Sequence, residues 1–196
     1  AELPGIDRIR PIVTFEEEAY WDISPPPLPM GSATAVYPFK ENFETGSLSS
    51  AWTSAVTGAG TIEVSGNESP NGNFHVLMDS AVNATESTAS IEVVLDLVGE
   101  TDVGIRFQWK EFADEDDPGD GVFVSEDGIN YSMVLALTGG STSYATKTVD
   151  LDSAIASLGL NYTSAFHIRF AWDDNYEIPT DGFAFDDIEI APGVGE

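Results

Sequence analysis

IRFQWKEFADEDDPGDGVFVSEDG at residues 105–128 and IRFAWDDNYEIPTDGFAFDDIEI at residues 168–190 are near repeats of one another. In each, an Ile-Arg-Phe-x-Trp run, Ile105 to Trp109 and Ile168 to Trp172, leads into an acidic loop. An Asp-Gly step, Asp120-Gly121 or Asp181-Gly182, then opens a second alternating run. Apolar and polar residues alternating at period two mark a half-buried β-strand, and Asp beside Gly is turn chemistry. The pattern predicts strand, acid-rich loop, strand, written twice, and reads as two equivalent hairpins. Carboxylates gathered at strand ends are also where hard cations find oxygen ligands.

Outward from this pair the same texture holds from Val36 onward. The runs 36–44, 60–66, 73–79, 88–98, 103–112, 121–126, 130–138, 143–150, 164–172 and 182–190 alternate or are β-branched, with turn signals such as Asn71-Gly72, Asp127-Gly128 and Gly139-Gly140 between them. Only 151–159 reads as a short helix, with Asp152 or Ser153 as its cap and Gly159 past its end. Ten short strands and almost no helix predict an all-β fold, a two-sheet antiparallel β-sandwich of the jelly-roll kind. Val93-Val94-Leu95 marks a central strand covered on both sides.

Residues 1–35 differ from the rest. They hold six of the eleven prolines, with Pro25-Pro26-Pro27 and Pro29 forming a polyproline-type rod. Before the rod lies an apolar, strand-like piece carrying Ile12, Val13, Phe15, Tyr20 and Trp21, and Pro11 restricts it to an edge position. Such an arm packs on its own domain or adds as a strand to the sheet of a neighbouring copy; head-to-tail homo-oligomers are the expectation taken forward. The expected organisation is an arm and linker at 1–35, a sandwich at 36–191 and a tail at 192–196.

Seven Lys and Arg against 34 Asp and Glu leave a formal charge of −27. Phosphate is repelled by such a surface, which excludes nucleic acid and anionic membranes as partners. Calcium is the natural counter-charge, although an acidic surface also serves solubility alone. No apolar run approaches the ~20 residues that cross a bilayer. Cysteine is absent, and with it disulfides, thiolate metal sites and cysteine nucleophiles. A start at Ala1 without Met, together with sequons at Asn67, Asn83 and Asn161, leads to the expectation of a secreted or cell-surface protein.

Several short motifs fall in a familiar order: Asn42-Phe43-Glu44-Thr45-Gly46 with Trp52, then Ser69 to Asp79, then Asp120 to Ser125 with Asp127-Gly128, then Phe183 to Ile188. Over roughly 39–191 the chain resembles the MAM-type jelly roll of the concanavalin A-like sandwiches. The resemblance implies an extracellular binding or scaffolding role without catalysis. It also implies a cation site formed by Glu44, Asp79 and Asp187, with Asp186 beside them. A separate cue comes from parity: Phe183 and Phe185 are at odd positions, Ile188 and Ile190 at even ones, so the strand needs a β-bulge at Asp186-Asp187. A twist-inducing edge bulge with solvated carboxylates satisfies the same cue. A second cation site is expected in the acidic loops, from Asp114, Glu115, Asp116, Asp117 and Asp120 and from Asp173, Asp174, Glu177 and Asp181, unless these are plain solvated loops.

Catalysis has little support. His75 and His167, the two histidines, lie inside strand patterns, and no Gly-x-Ser-x-Gly elbow is present. The Glu-x-Asp-x-x-Glu strand in which concanavalin A-like glucanases resemble each other is missing too. Trp109 and Trp172 read as core caps, whereas Tyr162 and Tyr176 fall in loops and are the candidates for stacking on a sugar. The leading expectation is a calcium-stabilised, secreted structural or adhesive building block that assembles through its N-terminal strand. The alternative is a carbohydrate-binding or adhesion module of a larger secreted protein.

Overall fold

The computed structural model describes residues 34–66, 69–83, 86–112, 116–175 and 182–195. Two antiparallel sheets face each other, matching a jelly-roll sandwich. One has the order β3 (Gly60–Ser65), β4 (His75–Ser80), β11 (Phe183–Pro192), β6 (Val103–Glu111), β9 (Ala145–Asp150), with β1 (Phe39–Glu41) also paired to β11. The other runs β2 (Trp52–Thr57), β5 (Ser87–Leu95), β10 (Phe166–Asp174), β7 (Gly121–Ser125), β8 (Ser132–Ala136). The assembly residues Ile12, Val13, Phe15, Tyr20 and Trp21 lie outside the described residues.

Alternation decides which side chains meet between the sheets. Phe107 of β6 and Phe185 of β11 reach across to Phe170 of β10, with ring centroids 5.1 and 5.6 Å apart, and Trp52 closes on Phe170 at 6.1 Å. Trp109 and Trp172 are buried in this same core, as their place at strand ends suggested. In β5 the inward residues are Ala89, Ile91, Val93 and Leu95, and Val94 between them is buried as well.

The twin phrases are not hairpins. β6 and β7 belong to different sheets, as do β10 and β11, so each phrase is an arch from one sheet to the other. The arches interlock: β6 pairs with β11 through Trp109↔Phe185, and β7 pairs with β10 through Val122↔Phe170. A chain that must cover both sides of a core gains more by crossing it than by turning back, and alternation cannot tell the two apart.

Three further readings change. Trp52–Thr57 is a strand of its own, with too much Ser and Ala to show as one. The first strand shrinks to three residues because Phe43 has φ 55 and turns the chain. The helix α1 (Leu151–Leu158) is capped by Asp150, which accepts the Ser153 N–H at 2.9 Å, while Gly159 at φ 71 ends it. The predicted bulge is present: the β11–β6 register shifts between Asp186 and Glu189, and Asp187 has φ 49.

Candidate functional site

The outward positions of the five-stranded sheet fall in rows set by the pairing. Glu92 of β5 lies opposite Arg169 of β10, which lies opposite Phe123 of β7. One row over, Val94, His167 and Ser125 are aligned, and on the other side Ala55, Ser90, Ala171 and Gly121 form a row of small residues across four strands. That row is not open: Ser90 and Ala171 expose 2% each, and a Cβ on Gly121 would lie 3.2 Å from Met133 Cε.

Glu92 organises the face. Its Oε2 accepts from Tyr131 Oη at 2.7 Å and from Arg169 Nε at 3.0 Å, and its Oε1 lies 2.8 Å from His167 Nδ1. The Arg169 guanidinium also approaches Glu92 Oε2 through a terminal nitrogen at 3.0 Å, and it sits 3.6 Å from the centroid of the Tyr131 ring. Burial alone would push the Glu92 carboxyl up, but the hydrogen bonds from His167 and Tyr131 and the charge of Arg169 outweigh it and hold it low. Burial, then the ionised Glu92 beside it, pushes the Tyr131 hydroxyl far up. The result is a fixed, charged acceptor ringed by donors and one aromatic ring. Sequence reading missed the Glu92–Arg169 pair, although a signal existed: each is a charge set between apolar neighbours, Ile91-Glu92-Val93 and Ile168-Arg169-Phe170, and a buried charge survives only when paired.

Glu44, Asp186 and Asp187 are each held by the loop Ser69–Phe74, without being grouped closely enough to hold a metal ion as they stand. Ser69 Oγ donates to Asp186 at 3.0 Å, Asn71 Nδ2 to Asp187 at 2.5 Å, and Asn73 N and Phe74 N to Glu44 at 2.7 and 2.9 Å. A Cβ on Gly72, which has φ 73, would lie 2.4 Å from Glu44 Oε1. Burial, helped by the Asp187 and Glu44 charges, pushes Asp186 up to about 6. Asp79 is not with them: it lies by Gly182 at the far end of β4, about 13 Å along the strand from His75. Its carboxylate accepts the Ser80 N–H instead. A site joining Glu44, Asp79 and Asp187 is therefore not what the pairing builds, because β4 runs lengthwise between its ends.

The acidic loops share one end of the sandwich. Asp120, fully buried, accepts the Asp117 and Asp173 N–H groups at 2.9 Å each, and Asn175 donates to Asp117 at 2.7 Å. Asp116 accepts from Gly139 N, and Asp174 is buried at the end of β10. Burial, then Asp117 and Glu86, pushes Asp173 up to about 6. Asp114 and Asp181 lie outside the described residues. Among the described residues no three His, Asp or Glu side chains are grouped so as to hold a metal ion. Asp116, Asp117 and Asp120 accept from N–H donors.

Tyr162 is a support and not an open platform. Its ring packs edge-on against Phe166 at 5.3 Å, and its hydroxyl donates to Asp152 at 2.6 Å. Tyr176 and Asn67 lie outside the described residues. Asn83 and Asn161 are exposed, the latter holding Glu126 through its N–H. On the six-stranded sheet, a groove of ≈ 530 Å³ opens between β1 and β9, lined by Lys40, Arg106, Gln108, Thr146 and Glu189. Glu189 bridges Lys40 and Arg106, so the groove is polar without a strong net charge. No helix among the described residues is long and apolar enough to cross a membrane.

No known family matches the chain, and no curated protein matches its sequence. Solved structures do resemble it. The family 11 carbohydrate-binding module of the cellulosomal cellulase Lic26A-Cel5E of Clostridium thermocellum is 17% identical with a TM-score of 0.51, over 81% of this chain and 96% of that one. A family 22 xylan-binding domain of Paenibacillus barcinonensis Xyn10C is 14% identical with a TM-score of 0.49, over 78% of this chain and 92% of that one. The glycoside hydrolase domain structure of Endo-D from Streptococcus pneumoniae R6 is 15% identical with a TM-score of 0.46, over 71% of this chain and 21% of that one. The first of these agrees with the jelly-roll fold; the MAM-type resemblance draws no support from the comparisons.

Proposed function

We propose that the chain is a non-catalytic carbohydrate-binding module of an extracellular protein, with its site on the outward face of the five-stranded sheet. The observation that carries the reading is the Glu92–Arg169–Tyr131–His167 network on that face. A sugar offers paired hydroxyls on its rim and C–H groups on its faces. The part-exposed Tyr131 ring and His167 imidazole suit contact with a sugar, held in place by the buried Glu92 and Arg169. Glycoside hydrolysis asks for a carboxylic acid raised in pKa and paired with a second carboxylate. Glu92 is held low among His, Arg and Tyr, which supports binding over cleavage.

Affinity electrophoresis and calorimetry against soluble β-glucans, xylans and galactans test the reading. We expect saturable binding to one class, weakened about tenfold by Tyr131→Ala, a loss of ~1.4 kcal/mol, and untouched by Gln108→Ala on the opposite sheet. Binding to none of them at millimolar sugar, or binding indifferent to Tyr131→Ala, would sink it. Calcium stabilisation is a separate proposal, motivated by Asp186, a buried carboxylate with Glu44 and Asp187 beside it.

A further inference from the structure

Asn71-Gly72 is the one Asn-Gly step in the chain. Both residues are exposed, in the stretch between β3 and β4 and outside any regular element. The N–H groups of this stretch are treated unequally. Asn73 N and Phe74 N donate to Glu44 at 2.7 and 2.9 Å, whereas the Gly72 N–H has no hydrogen-bond partner among the described residues. Glycine also carries no Cβ to shield that nitrogen. The Asn71 carboxamide is held through one atom, Nδ2, which donates to Asp187 Oδ2 at 2.5 Å. Asp127-Gly128 has the same spacing and the opposite surroundings. There Gly128 N donates to Ser125 Oγ at 2.9 Å, and the Asp127 carboxylate accepts from Ser125 Oγ, Ile129 N, Asn130 N and Asn130 Nδ2.

We propose that Asn71 is a self-modification site, deamidating through a succinimide to a product that releases this loop from the bulge at Asp187. The Gly72 nitrogen loses its proton to solvent base and bonds to Asn71 Cγ; the Cγ–Nδ2 bond breaks, and the amide nitrogen leaves as ammonia. Water then opens the imide at either carbonyl and leaves aspartate or isoaspartate, with no oxidant or reductant involved. What faces the product gives the step its effect. Residue 71 stops donating to Asp187 and sets a second carboxylate against it, and like charges at that distance repel. Asp187 holds φ 49 in the β11 bulge, so the lost contact is the one that ties the loop to the bulge. The isoaspartyl form also adds a methylene to the backbone of a tight loop, where a Cβ on Gly72 already falls 2.4 Å from Glu44 Oε1. The loop belongs to the six-stranded sheet, and the proposal stands apart from the glycan-binding reading of the other sheet.

The full chain is incubated in warm, mildly alkaline buffer, with and without urea, and sampled by peptide mass mapping and by isoaspartyl methyltransferase labelling. In the folded chain we expect isoaspartate at residue 71 to build up about tenfold faster than at any other Asn or at Asp127, because the nitrogen beside it is open. Melting should drop by a few degrees as it does so. Asn71→Asp should lower melting in the same way without incubation, and adding Asp187→Asn should recover it, since an amide and a carboxylate then face each other with their roles exchanged. Residue 71 staying asparagine in the folded chain while it converts in urea shows that the fold protects it and overturns the proposal. Asp127 converting as fast as residue 71 overturns it too, because the open nitrogen then makes no difference. Conversion with unchanged melting, and Asn71→Asp melting like the unaltered chain, would show that the product leaves the loop in place, which overturns the proposed release.

Discussion

Glu92 and Arg169 stand directly opposite each other on adjacent strands, pointing away from the core, yet neither is exposed. Each removes the other's cost of burial. A carboxylate taken out of water needs a charge and several donors, and Glu92 has the guanidinium, the Tyr131 hydroxyl and the His167 ring. Breaking the set from one side is therefore more damaging than removing both partners. We expect Arg169→Ala to destabilise the fold by ~3–5 kcal/mol, and Glu92→Gln to recover part of that loss in the double variant, read by urea unfolding. Equal, additive losses would show that the two side chains act independently. Identity at these positions was plain in the sequence, but partnership was not. Glu92 and Arg169 are 77 positions apart in the chain, and only strand pairing brings them face to face.

At the scale of elements, alternation made nearly every strand legible, and parity made the bulge legible. The odd-to-even switch between Phe185 and Ile188 has no other solution in a strand that must keep both in the core. Which sheet each strand joins was not legible, because a period of two describes a strand's faces and says nothing about its neighbours. The twin phrases thus read as hairpins when they are interlocked arches. The Trp52–Thr57 strand escaped because its outward residues, Thr53, Ala55 and Thr57, are small. The bulge itself is testable. Asp187 holds φ 49, a left-handed conformation that branched side chains resist. Asp187→Val should cost ~1–3 kcal/mol, while Asp187→Gly should cost little or stabilise the protein. The same loss from both would place the contribution of Asp187 in its side chain, through Asn71, rather than in its backbone.

For the molecule as a whole, the acidic surface and the buried carboxylates act in the same direction. Asp173 and Asp186 are each pushed up to about 6, chiefly by burial, against ~3.9 in an unfolded chain. Between those values the native state holds protons that the unfolded state has released, so stability falls as pH rises. That contribution is whole below about pH 4 and gone once pH passes about 6. Carboxylates held low, such as Glu92 and Glu44, work in the opposite sense, but their window lies below their ordinary range. Melting temperature should therefore drop by a few degrees from pH 5 to pH 7.5. Asp186→Asn and Asp173→Asn should each flatten the drop, since an amide stays neutral throughout. Calcium adds a second arm to the same measurement. A cation that binds only the native state raises melting by mass action, and one held by Asp186, Glu44 and Asp187 must compete with the proton on Asp186. The rise should then be larger at pH 7.5 than at pH 5 and absent in Asp186→Asn. A calcium effect equal at both pH values, or intact in that variant, would place the ion elsewhere, and no effect at either pH would remove calcium from the account of this fold.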